Sequence, residues 1–390
     1  MLPKPAVRVA VLVDTSTAWG RRLIHGVLSY ARIHGPWDIW LEARGQSESL
    51  RLPRGWCGDG VIARVSTEAM AGHLSERKVP VVNVSGIKVK GAEFQRVCTD
   101  NDRFAEVAVS HFFDRGIRNV AYIGLYSRGY SLDRQEAVQR ACQLYDCRFE
   151  VFRHSQSTTL NTKHANRWEQ ERRKIGDWLL RLPKPTGVLA WGVRRGNDVI
   201  EEAMHRGIQI PEDIAVLGDD DELLCEAAQP PLSGVKVPSE QIGLEAAAIL
   251  HQLMQGKKVA QRELKLAPSG VVSRASTDVL AISDEEVAEA IRLIRSSANR
   301  PLTVADVADT LAISRRSLER RFKTILHRSI GEEIARVRLD QAKLLLETTE
   351  MQIPAVAQAS GYGSPEYLAT IFKRHTGLTP RQYRQQCRGK

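Results

Sequence analysis

Between residue 7 and about residue 270 the chain alternates short β-branched runs with longer segments of helical period. The runs "VRVAVLVD", "WDIWL", "GVIA", "VPVVNV", "NVAYIG", "FEVF", "GVLA" and "IAVLG" are mostly apolar, the pattern of strands covered on both faces. Between them, a segment such as Trp19 to His34 sets Leu23, Ile24, Val27, Leu28 and Ala31 on one stripe, which predicts an amphipathic helix. Alternating strand and helix predicts parallel sheet with helices on both faces. Ligands collect at the carboxyl ends of such strands, so the loops after "VLVD", "YIGL", "VLAWG" and "AVLGDD" are the expected binding loops.

The pattern changes at "SRASTDVLAIS", residues 273–283, a small, polar, turn-forming stretch read as a linker. After it comes the acidic-started helix "DEEVAEAIRLIRSSA", and no strand-like run follows before Lys390. The expected division is an α/β domain over 1–272, a linker over 273–283 and an all-α domain over 284–390.

The all-α part repeats itself. "VADVADTLAISRRSLERRF" and "IPAVAQASGYGSPEYLATIF" share a short apolar helix, a turn near Ala312 or Gly361, a capping serine and a second helix ending in Phe-Lys. The first helices are offset by 49 residues, Val307 against Val356, and Gly363 supplies one extra residue in the second turn. This predicts two helix-turn-helix units, 303–325 and 353–375, joined by the helix around "EEIARVRLDQAKLLLE".

On a helix over 314–325, Leu318, Phe322 and Ile325 fall on one side, while Arg316, Arg320 and Lys323 fall on the other, with Arg315 and Glu319 flanking. A merely solvated face intersperses acids with bases, and here Glu319 is the sole acid. Arg316 and Arg320 are therefore expected to read bases, since arginine's planar fork matches guanine O6 and N7. Arg315, Arg321, Arg336 and Arg338 are expected on phosphate or acidic neighbours. In the second unit the matching positions are Glu366, Ala369 and Thr370, with Ser364 as N-cap and Lys373 following; this unit is less basic and contributes less affinity. Tyr362 and Phe372 are read as core.

Charge sharpens that picture. The formal net charge is +10, and residues 299–390 alone hold 16 Lys and Arg against 9 Asp and Glu, so most of the excess sits in the repeat region, as a polyanion partner requires. The six cysteines form no C-x-x-C pair, which favours packed free thiols in a reducing compartment and argues against zinc. The N-terminal apolar run is too short for a signal segment, and nothing approaches a membrane span, so a cytoplasmic location is expected. There is no G-x-S-x-G, Walker loop, strand-following G-x-G-x-x-G or H-E-x-x-H, so neither catalysis nor a cofactor is expected.

The paired helix-turn-helix units, "RLDQAKLL" in the joining helix and "SGYGSPEYLATIFKRHTGLTPRQYR" resemble the AraC/XylS family of transcription regulators. That resemblance implies seven helices, two recognition helices about one DNA turn apart, double-stranded operator DNA as partner and activation through contact with RNA polymerase. The segments "CTDNDRFAEVAVSHFFDRGIRNVAYIG", "RGIQIPEDIAVLGDDD" and "PPLSGVKVPSEQIGLEAAAILHQLM" resemble the two-lobed periplasmic-binding-protein-like sensor of the LacI/GalR family, without that family's DNA-binding headpiece. This implies a small-sugar effector, with D-xylose the expected one, and a homodimer formed through the sensor.

A sugar needs paired donors and acceptors for its hydroxyls and an apolar face for its C–H surface. Asp14 and Trp19 after the first strand, Asp100 in "TDN", Arg134 in "SLDRQEAV", Trp191 and Asp220 are the candidates. Asp14 and Asp100 can equally be helix caps, Trp19 can be rim packing, and which of Asp219, Asp220 and Asp221 faces the cleft is open at this point.

Overall fold

The computed structural model describes residues 6–45, 51–124, 129–152, 164–278, 284–326 and 328–387. The chain separates into two compact units, one ending at Val279 and the other running from Leu280 to Lys390 together with Asp114–Gly116.

The strands of the first unit are β1 (Val7–Leu12), β2 (Trp37–Leu41), β3 (Gly60–Ala63), β4 (Val81–Asn83), β5 (Gln95–Thr99), β6 (Asn119–Ile123), β7 (Arg148–Val151), β8 (Thr186–Ala190), β9 (Ile214–Asp219), β10 (Ser233–Val235), β11 (Glu263–Leu266) and β12 (Val271–Val272). They form two sheets, ordered β11-β5-β4-β3-β1-β2 and β12-β10-β9-β8-β6-β7. All pairs are parallel except β10 with β12. Both faces of the central strands are covered: Val9, Ala10, Val11 and Leu12 of β1 are buried, as are all five residues of β8. This is why those runs lack polar alternation.

The helices of this unit are α1 (Ala18–His34), α2 (Glu68–Ser75), α3 (Asn101–Phe113), α4 (Gly129–Leu144), α5 (His164–Arg181), α6 (Gly192–His205), α7 (Glu222–Glu226) and α8 (Ser239–Met254). The stripe expected on α1 is the buried one, with Leu23, Ile24, Val27 and Ala31 in the core. Each sheet centres its own lobe. The first core joins Val9, Val11, Leu23, Val27, Ile242, Ala246 and Leu250, and the second joins Ala121, Ile123, Ile175, Leu179, Val188, Val199 and Val216. The chain passes between lobes three times, after β5, after β10 and after β11. Ser276 and Thr277, inside the stretch expected as linker, are fully buried in this unit, and the Ser276 hydroxyl donates to the Val216 carbonyl at 2.6 Å.

The second unit contains α9 (Glu285–Ser296), α10 (Val304–Thr310), α11 (Arg315–Leu326), α12 (Ile330–Thr348), α13 (Ile353–Ala359), α14 (Pro365–Thr376) and α15 (Pro380–Cys387), seven helices among the described residues. Starts are well capped: Thr303 with Asp306 and Ser329 with Glu332 form capping boxes, and Ser364 accepts from the Tyr367 N–H. Two cores result. Val287, Ile291, Val307, Leu318, Phe322, Ile330 and Ile334 make one; Leu339, Ala342, Leu346, Val356, Leu368, Phe372 and Tyr383 make the other. The turns share a backbone feature as well as a pattern, since Ala312 (φ 52°) and Gly361 (φ 71°) both take the left-handed conformation, 49 residues apart.

Candidate functional site

In the first unit a cavity of about 420 Å³ opens where the loops from both sheets meet. Its wall includes Thr99, Asn101 and Val237, which lie at two of the passages between lobes. Volume and position fit a small polar ligand held between lobes.

Arg134 is the most constrained polar group in the wall. It is buried, its Nη1 donates to Asp219 Oδ1 at 2.9 Å and its Nε to Asn101 Oδ1 at 3.2 Å. Its guanidinium lies between the rings of Phe104 and Trp191, 3.8 and 4.1 Å from their centroids. Burial raises the Asp219 carboxyl pKa and the Arg134 charge opposes that rise. Across the cavity Arg64 lies over Trp19 at 5.0 Å and donates to Asp14 Oδ2 at 2.6 Å.

Of the candidate ligand contacts, Trp19, Arg134, Trp191 and Asp220 line the cavity. Two other candidates stand behind the wall. Asp14 is 2 % exposed and holds Arg64 and the Thr17 hydroxyl, so it orients the wall from behind. The Asp100 carboxylate accepts from the N–H groups of Asp102 and Arg103, which makes it a cap of α3, while its neighbours Thr99 and Asn101 reach the cavity. All three successive acids reach it as well, each with different work. Asp219 meets Arg134, Asp220 pairs with Arg274 at 3.1 Å and Arg22 at 3.6 Å, and Asp221 caps α7 while accepting from the Ala18 N–H at 3.2 Å. The sequence reading missed Arg64, Ser85, Glu171 and Arg195, which lie on the wall in two loops, within α5 and in the first turn of α6, without a local signature. Among the described residues no group of three metal-ligating side chains converges.

In the second unit α11 buries Leu318, Phe322 and Leu326, whereas Ile325, expected inside, is half-buried. Arg316, Arg320 and Lys323 are exposed on the far side, and among the described residues neither Arg316 nor Arg320 makes an ion pair. The four arginines expected on phosphate or acidic neighbours are engaged. Arg315 pairs with Glu319 at 2.9 Å, Arg321 takes Asp284 in a two-pronged pair at 2.5 and 2.7 Å, and Arg336 takes the buried Glu333 at 2.6 and 3.0 Å. Arg338 donates to the Leu302 carbonyl. The Arg321 pair holds Asp284 below the usual carboxylate range.

The matching face of α14 carries Glu366, Thr370 and Lys373, all exposed. Here part of the hydrogen-bonding capacity is spent internally: the Glu366 N–H and Ser364 hold the Glu366 carboxyl below its ordinary value, and Thr370 donates to the Glu366 carbonyl at 2.9 Å. Ser364 itself is the N-cap. Tyr367, 56 % exposed on the same helix, was not singled out from sequence. Tyr362 and Phe372 are buried, as expected.

Three family models match successive parts of the chain: an XylR N-terminal domain over residues 8–102, a periplasmic binding protein-like domain over 109–277 and a helix-turn-helix domain over 307–386. The chain is 29 % identical to the xylose operon regulatory protein of Escherichia coli K12 over 385 residues, covering 97 % of this chain and 96 % of that one. It is 28 % identical to the protein of the same description from Haemophilus influenzae, covering 97 % and 98 %. A solved structure described as the xylose-binding transcription activator xylR superposes with a TM-score of 0.62 at 28 % identity, covering 98 % of each chain. The transcription regulator CcpA of Lactococcus lactis, at 19 % identity and a TM-score of 0.56, shares the fold over 70 % of this chain.

Proposed function

The chain is a homologue of the xylose operon regulatory proteins, with a periplasmic-binding-protein-like sensor and an AraC-type helix-turn-helix domain; from that premise we propose that it switches a pentose-utilisation operon in response to D-xylose. It is a DNA-binding transcription regulator and not an enzyme. The observation that carries the reading is that the similarity spans both units at once, so the pairing of this sensor type with this DNA-binding type is itself shared.

The sugar sits in the cavity of the first unit, its hydroxyls on Asp220, Arg134 and Asn101 and its C–H surface against Trp19 or Trp191. Asp14 serves by fixing Arg64, and Asp100 by fixing the start of α3. Arg316 and Arg320 enter one major groove and read bases, Arg315 and Glu319 flank them, and Ser364, Glu366, Thr370 and Lys373 meet the next groove. Two protomers associate through their sensors in the cytoplasm, and the DNA-bound dimer contacts RNA polymerase. Sugar acts by binding one arrangement of the dimer better than another, since a ligand shifts an equilibrium only by its differential affinity.

The test is a titration of full-length protein on promoter duplex with and without D-xylose, L-arabinose and D-ribose, followed by DNA retardation and tryptophan fluorescence. The expected result is a DNA affinity raised by D-xylose and a fluorescence change that Trp19→Phe or Trp191→Phe diminishes. Silence in both signals across the sugars removes the effector; loss of duplex binding itself removes the regulator.

A further inference from the structure

The carboxylate of Asp220, in the cavity wall, is tied to the segment by which the chain leaves the first unit. Its backbone is pinned: the Asp220 N–H donates to the Val235 carbonyl at 2.9 Å, and a Cβ on Gly234 would come within 2.6 Å of the Asp220 Cα, so only glycine lets β10 approach so closely. Its side chain, 6 % exposed, is shared between Arg22 of α1 and Arg274. Arg274 spans outward from there. Its Nη2 takes Asp220 at 3.1 Å and its Nη1 takes the Leu232 carbonyl at 3.0 Å. Its backbone N–H donates to Ser233 Oγ at 2.8 Å, and its own carbonyl accepts from that hydroxyl.

Residues 275–277 continue the same buried network. Ser233 Oγ lies 2.7 Å from Thr277 Oγ1, which lies 2.8 Å from His111 Nε2, and Ser276 Oγ accepts from the Ser233 N–H at 2.9 Å. An unbroken path of direct hydrogen bonds therefore runs from a cavity carboxylate to Thr277, two residues before the chain passes to the second unit.

We propose that Arg274 is a positioning residue that couples occupancy of the sugar cavity to the 274–277 segment. A sugar hydroxyl donating to Asp220 competes with Arg274 for a carboxylate whose backbone cannot move to serve both. The guanidinium must then re-pair, and the segment it anchors loosens or tightens with it. This rests on the sugar-sensing reading above. Arg274 does not line the cavity, so it acts through Asp220.

The test uses the full-length protein, D-xylose and a duplex selected by the protein from a randomised pool. Wild-type DNA affinity with and without D-xylose gives a coupling ratio, which for such linkage is typically about 5- to 150-fold. Arg274→Gln is expected to bring that ratio close to 1 while D-xylose still binds within about tenfold of the wild-type affinity, and equally with and without duplex, as reciprocity between the sites demands of an uncoupled pair. Arg274→Lys, which keeps the charge but loses the two-pronged reach, is expected to give an intermediate ratio. A wild-type ratio in either variant overturns the proposal. Should the variants fail to fold, hydrogen exchange on wild-type protein decides: D-xylose is expected to change amide protection of Ser276, Thr277 and Asp278 by threefold or more, on the order of the smallest couplings seen. Unchanged protection at saturating sugar overturns it too. If wild-type protein binds no sugar at all, it is the sugar-sensing reading that falls.

Discussion

Arg316 and Arg320 differ from Arg315, Arg321 and Arg336 in that, among the described residues, neither makes an ion pair with an acid. Arg321 and Arg336 are tied to acids, and Arg315 to Glu319. An unanswered fork on an exposed helix face is available for a base edge, where a good two-pronged contact gives about 1–3 kcal/mol of discrimination. Arg316→Ala and Arg320→Ala are each expected to relax preference at one defined operator position by that amount, measured by competition between single-base operator variants; an unchanged preference profile would place these side chains elsewhere. Ala312 carries a different burden. Its φ of 52° costs an L-residue about 1–2 kcal/mol, whereas the equivalent Gly361 has no such cost. Ala312→Gly is expected to raise protection of the α10 and α11 amides, and Gly361→Ala to lower it for α13 and α14, where a Cβ would also press within 2.8 Å of the Arg300 carbonyl.

Among the elements, α12 begins with a buried acid. Glu333 is fully buried, and although burial alone would raise its carboxyl, Arg336 and Arg328 bring it below its ordinary value. A carboxyl with a depressed folded pKa stabilises the folded state above its unfolded value of about 4.3 and loses that contribution as pH falls through the folded value. The helical unit is therefore expected to lose stability from about pH 4 downward, and Glu333→Gln to flatten that acid limb in a pH series of circular-dichroism melts. The elements also show what a sequence alone can carry. Long periodic stretches such as α1 and α11, and the buried runs β1, β8 and β9, announce themselves because burial dictates their composition. The short strands β5, β10, β11 and β12 do not, since "QRVCT", "SGV", "ELKL" and "VV" are too short or too polar to show a period. The cavity is legible in the same uneven way. Trp191 and Asp220 directly follow strands and Trp19 opens the helix after one, where topology points, but Arg134 lies inside α4, and a capping aspartate such as Asp100 and a wall residue such as Asn101 differ only in side-chain direction, which pattern does not encode.

At the scale of the whole chain, the proposed function rests on two surfaces of opposite demand, a cavity whose charges are mostly matched by protein partners and a helix face on which, among the described residues, Arg316 and Arg320 are not. A matched cavity suits a neutral polyol, which exchanges hydrogen bonds without bringing charge. An unmatched basic face suits phosphate, so the logarithm of duplex affinity should fall linearly with the logarithm of salt concentration. Lys373→Ala is expected to weaken binding about equally on all sequences and to reduce the salt slope by about 1, a signature distinct from the loss of base preference at Arg316 or Arg320. Quantitative footprinting across a salt series separates the two.

The two cores of the helical unit draw on opposite halves of one helix: Ile330 and Ile334 belong to the first, Leu339, Ala342 and Leu346 to the second. At 19 residues α12 is about 28 Å long, so the two DNA-reading modules are held by a stiff strut rather than a tether. A strut sets both distance and phase. Operators with five extra base pairs between the two contacted stretches, and equally those with ten, should bind as if only one module were engaged, whereas a tethered pair would recover at ten, when the grooves return to the same side of the duplex.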